Sequence, residues 1–220
     1  MKTLISRLKQ PPSTLVKNAG WLLSVEGVAK ISRVVTILCM AALLTPVDYG
    51  IVILAVAFHD LFRMLMRSGT GNQVIQCHES DLPAFARNAA ALQWAFCIGI
   101  AALQFFSAPL LANLYDKPEL LPLLQLMSVS YLLYPWVSVR VYLLHRANNM
   151  KYFSLSNGSC IIAENLSIAL LLLLDFGMTS VAISKIVFSA LWLILFLRVP
   201  DGGYSIAWQP SVMRRVFGTS

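Results

Sequence analysis

Leu120–Val139 reads LLPLLQLMSVSYLLYPWVSV, twenty consecutive residues without a charge. A helix needs about 20 mostly apolar residues to cross the hydrocarbon of a bilayer, so this stretch predicts a membrane span. Pro122 and Pro135 are its points of kinking. Outward from it, apolar stretches of similar length fall at about 18–44, 50–67, 85–111, 119–144, 152–174 and 177–197. They account for most of the 220 residues, of which 58% are hydrophobic and only 12% charged, with a mean hydropathy of +0.70. Soluble domains are nearer one quarter charged, so a soluble enzyme is excluded. The expected fold class is all-α, a polytopic bundle of six transmembrane helices, with 1–17 as a cytoplasmic N-terminal segment, 18–197 as the six-helix unit and 198–220 as a cytoplasmic tail.

The net charge of +7, from 17 Lys and Arg against 10 Asp and Glu, does not point to nucleic acid, because it sits in short loops of an apolar chain and not on a polar surface. Lys2, Arg7, Lys9 and Lys17 precede the first span; Arg67 and Arg87 flank the second loop; Arg146 and Lys151 lie in the fourth; Arg198, Arg214 and Arg215 follow the last span. The first, third and fifth loops together hold only Lys117. Lys and Arg resist translocation, so this alternation predicts both termini in the cytoplasm. Cys39, Cys77, Cys97 and Cys160 are widely spaced and read as reduced thiols, with no cofactor or metal site.

The anomaly is the charge inside the spans. Glu26, Lys30 and Arg33 lie near the middle of the first, His59, Asp60 and Arg63 in the second, Glu164 in the fifth and Lys185 in the sixth. Each charge at the centre of a lipid-facing helix costs roughly 2.5–3.5 kcal/mol, so these groups must face one another or water. At about 100° per residue, Glu26, Lys30 and Arg33 share one face, as do His59, Asp60 and Arg63, and as do Asn157, Cys160, Glu164 and Ser167. Two readings remain open. One is a polar cavity at mid-membrane; the other is a set of packing ion pairs, Glu26 with Lys30 and Asp60 with Arg63. Ala91, Ala95 and Gly99, spaced by four, predict close helix packing. No catalytic or phosphate-loop motif is present, and the charges lie at mid-depth and not at a membrane face, so the chain does not read as an enzyme.

The loops carry a resemblance. Thr45-Pro46-Val47-Asp48-Tyr49-Gly50, Ser68-Gly69-Thr70-Gly71-Asn72-Gln73, Arg146 with Met150-Lys151-Tyr152, Asp175-Phe176-Gly177, and Trp208-Gln209-Pro210 with Phe217-Gly218 resemble, in order and spacing, segments of bacterial polysaccharide transporters. These are the oligosaccharide flippases of the multidrug and oligosaccharidyl-lipid exporter superfamily. The resemblance implies one six-helix lobe, the N-terminal one, of a twelve-or-more-helix exporter in the bacterial inner membrane. It implies a lipid-linked oligosaccharide on an isoprenoid pyrophosphate as cargo, moved by alternating access, with membrane lipid and a second lobe or a second copy as partners. Lys30, Arg33, Arg63 and Lys185 are then the candidate pyrophosphate-binding residues, and Glu26, Asp60 and Glu164 the ion-pairing or coupling ones. The alternative is a shortened, non-transporting fragment or accessory lobe that needs a partner.

Overall fold

The computed structural model describes residues 12–65 and 70–200; the calls on the N-terminal basic residues before Pro12, on Arg67 and on the tail from Asp201 lie outside them. The described chain is helical throughout: α1 (Pro12–Leu43), α2 (Pro46–Leu65), the short α3 (Thr70–Gln76), α4 (Leu82–Leu114), α5 (Leu120–Ser128) running into a 3₁₀ turn (Val129–Leu133), α6 (Ser138–Arg146), α7 (Met150–Leu173) and α8 (Thr179–Leu197).

The turn motifs act as helix punctuation. Thr45 caps α2, its Oγ1 accepting from the Asp48 N–H at 3.2 Å and donating to Asp48 Oδ2 at 2.8 Å, with Pro46 in the first helical position. The ends of α4, α6 and α7 close alike: Asp116, Asn148 and Asp175 take positive φ, and the paired backbone bonds of a Schellman motif follow, as in Asp175 N to Leu172 O and Phe176 N to Leu171 O, both 3.1 Å. Asp and Asn, not the usual Gly, fill the left-handed position in all three.

By length and apolarity, α4, α7 and α8 qualify as membrane spans, and a fourth forms if the segments on either side of Pro135 are taken as one span bent by 55°. The six expected spans reduce to three or four by this measure. α1 and α2 are long enough, but Glu26, Lys30 and Arg33, and Asp48, Asp60 and Arg63, make them too charged to face lipid all round. The uncharged stretch is thus not one straight helix. Pro135 removes a donor and the helix breaks there. Outward faces are apolar, with Phe106, Leu110, Leu114, Met64 and Leu173 among the most exposed side chains, as lipid contact requires. Ala95 and Gly99 also lie exposed on α4, so the small-residue stripe does not pack within the described bundle, contrary to expectation.

The loops sort to two ends. One apolar cluster gathers Met40 of α1 and Leu44 just past its end, Ile51 and Val52 of α2, Ala112 of α4, Leu120 of α5, Leu172 of α7 and Val181 of α8, so the first, third and fifth loops share an end. At the other, Arg146 donates to Val74 O (3.0 Å), Ile75 O (3.3 Å) and Cys77 O (2.8 Å), capping α3, while Arg140 donates to the carbonyls of Leu197 and Val199, capping α8. The second and fourth loops and the end of α8 therefore share the basic end. α3 itself was not expected.

Candidate functional site

Between the helices lies a cleft of about 1230 Å³. Each wall is a stripe at helical spacing: Arg33, Thr36, Ile37 and Met40 from α1; Tyr49, Val52, Val56, Asp60 and Arg63 from α2; Phe153, Asn157, Ile161, Glu164 and Ile168 from α7; Val181, Lys185, Phe188 and Trp192 from α8. The second loop and the bent segment contribute Gly71, Ile75, Tyr134, Tyr142 and His145.

Five of the seven site candidates, Arg33, Asp60, Arg63, Glu164 and Lys185, line this cleft. Lys185 Nζ stands 2.8 Å from Glu164 Oε1, bridging α8 to α7, and both side chains are largely buried. Arg63 pairs with Asp60 at 3.2 Å, about half exposed. Arg33 has no ion-pair partner among the described residues. Three cations against two anions leave the lining one charge positive. Glu26 and Lys30 do not join it; they form their own pair at 3.9 Å, 66% and 79% exposed, on α1 outside the lining. Both open readings thus hold in part, for there is a cavity and most of its charges are paired.

The charges do not share one depth. With a rise of about 1.5 Å per residue from the common end of α1, α2, α7 and α8, Lys185 lies about 9 Å in, Glu164 about 14 Å, Arg33 about 15 Å, Asp60 about 21 Å and Arg63 about 26 Å. They form a ladder through the bundle and not the midplane cluster expected. Of the predicted α7 stripe, Asn157 and Glu164 line the cleft, whereas Cys160 is fully buried and Ser167 lies elsewhere.

Beside the cleft sits a buried polar cluster that sequence reasoning missed. Tyr131 of the 3₁₀ turn stacks on His59 of α2 with ring centroids 4.8 Å apart. Its hydroxyl lies 2.7 Å from His59 O, 3.0 Å from His59 Nδ1 and 2.9 Å from Gln104 Oε1, and Gln104 Nε2 donates to Leu124 O at 2.7 Å. All three side chains are essentially unexposed, so these bonds tie α2, α4 and the bent segment together next to Asp60. A second polar seam joins α1 to α7: Asn165 Nδ2 donates to Ser32 Oγ at 2.8 Å, and Thr36 Oγ1 donates to Asn165 O at 3.1 Å.

An all-helical bundle whose exterior is largely apolar, broken by the Glu26–Lys30 pair, and whose interior cleft holds charges marks a membrane protein. The chain belongs to the polysaccharide biosynthesis protein family, whose family model matches residues 39–220, which places it in polysaccharide synthesis or export. No curated protein and no solved structure matches it.

Proposed function

We propose that the chain is one lobe of an exporter that flips lipid-linked oligosaccharide across the bacterial cytoplasmic membrane for surface polysaccharide assembly. In this reading it crosses six times with both termini in the cytoplasm, α2 turning Asp60 and Arg63 and α1 turning Arg33 toward the cleft, while Glu26 and Lys30 neutralise each other outside it. The observation that carries the reading is the cleft itself, where Arg33, Asp60, Arg63, Glu164 and Lys185, charges that hydrocarbon rejects, open into about 1230 Å³ inside the bundle. The sugar and pyrophosphate occupy it while the isoprenoid tail stays in lipid. Arg33, without an ion-pair partner among the described residues, and Arg63, half-exposed, meet the pyrophosphate. Lys185 is already neutralised by Glu164 and reaches the cargo only when that pair opens. Asp60 and Glu164 hold the cations in register or couple to an ion. Rocking against a second lobe or a second copy supplies alternating access.

Complementation of an exporter-null strain by the full chain, alone and with a supplied second lobe, tests this. Restored surface polymer, lost with Arg33→Ala and kept with Lys30→Ala at unchanged protein levels, is the expected outcome. Polymer unchanged by Arg33→Ala overturns the assignment.

A further inference from the structure

The charged ladder leaves part of the cleft unexplained. Towards the basic end its wall turns aromatic: His145 meets Phe153 at 4.3 Å between centroids, Phe153 meets Trp192 at 6.0 Å, and Trp192 lies nearly parallel to Phe188 at 5.9 Å. Phe196 backs Trp192 at 4.3 Å and is itself fully buried, so the indole is held from behind. Phe188 and Trp192 stand one and two turns beyond Lys185 on the same face of α8; on α7, Asn157 stands two turns from Glu164. The Trp192 indole N–H, the Asn157 amide and the His145 ring nitrogens have no hydrogen-bond partner among the described residues. Flat apolar faces beside unpartnered donors and acceptors fit a ligand that is amphipathic in the same way.

We infer that His145, Phe153, Asn157, Phe188 and Trp192 form a sugar-binding subsite. A pyranose offers an apolar face of C–H groups, weakly positive and suited to the negative face of an aromatic ring, and a rim of hydroxyls that need both donors and acceptors. A bare isoprenoid has no use for the Asn157 amide, and a bare phosphate has none for the rings. By the same helical rise Trp192 lies about 20 Å in, between Arg33 at about 15 Å and Arg63 at about 26 Å, so a sugar at the aromatic wall sits beside a pyrophosphate held by the two arginines. The inference rests on the export reading and extends it by assigning the aromatic wall from α7 and α8 to the sugar and the arginines of α1 and α2 to the pyrophosphate.

The test uses the full chain in lipid nanodiscs with two probes, farnesyl pyrophosphate and farnesyl-pyrophosphoryl-N-acetylglucosamine. Wild type binds the sugar-bearing probe at least tenfold more tightly. Trp192→Ala removes most of that preference and leaves farnesyl pyrophosphate binding within twofold, Trp192→Phe keeps the preference, and Arg33→Ala weakens both probes alike. Should Trp192→Ala fail to fold, Asn157→Ala, whose amide has no hydrogen bond among the described residues, carries the same expectation. Equal wild-type affinity for the two probes, or a Trp192 or Asn157 variant that weakens both alike, overturns the sugar subsite and leaves the export reading standing. Wild type binding neither probe overturns the export reading and the subsite with it.

Discussion

The Lys185–Glu164 pair offers the sharpest energetic test. At 2.8 Å, and at an effective dielectric near 20, the two charges attract by about 6 kcal/mol. Desolvating them offsets most of that, so the intact pair contributes little net stability compared with a well-packed apolar pair. Removing one partner is different, because it strands the other charge between α7 and α8. With both side chains about 15% exposed or less, the lower end of the range for broken buried pairs applies, about 3 kcal/mol for Glu164→Gln or Lys185→Met alone. The double variant has no stranded charge and should be no less stable than either single, a coupling of about 3 kcal/mol in a double-mutant cycle. Unfolding in mixed micelles titrated with SDS, followed by far-UV circular dichroism, measures all four chains. Costs that add, with a coupling under about 0.5 kcal/mol, would refute the claim that this pair is buried and mutually dependent.

Arg146→Ala should unlatch α3, which loses the donor to three carbonyls. Cys77 should then react several-fold faster with a maleimide in a chain whose other cysteines are alanine, and an unchanged rate would show that the arginine does not hold the segment. Tyr131→Phe removes the hydroxyl donor set between His59 O and Gln104 Oε1 and should lower stability by about 1–3 kcal/mol in the same SDS titration; unchanged stability would show that this hydroxyl does not tie the helices. Gly158→Val drives a side chain into Val25 of α1 and should destabilise by about 1–3 kcal/mol, with Val25→Ala restoring much of the loss; no rescue would mean the two helices do not meet there.

The helix ends were legible because they rest on local chemistry. Thr45-Pro46-Val47-Asp48 encodes a cap within four residues, and the Asp116, Asn148 and Asp175 turns fall where the hydrophobic stretches stop. The cleft was legible as far as it depended on periodicity: charges that lipid rejects, repeated on one face, had to meet. Which ones meet was not, since Lys185 and Glu164 are paired by the packing of α8 on α7, and Glu26 with Lys30 by one helix alone. α3 escaped notice because seven residues with a polar pattern carry no helical signal of their own; Arg146, about 70 residues away in sequence, supplies its cap. His59, Gln104 and Tyr131 come from three different elements, and nothing in the spacing of any one of them announces the others. Phe188 and Trp192 could have been found, for they repeat the face of Lys185 at three and seven residues.

The two arginines of α6 also set an order of events during synthesis. Arg146 reaches back to residues 69–72 positions earlier, already made when it leaves the ribosome. Arg140 reaches forward, to carbonyls 57 and 59 positions later. The second loop can therefore be secured while the last two helices do not yet exist, whereas α8 can be secured only after it has been inserted and turned back on the bundle. Since α8 also brings Lys185, Phe188 and Trp192, the wall that completes the cleft is the last to arrive, and until then Glu164 is a lone acid in a half-built membrane protein.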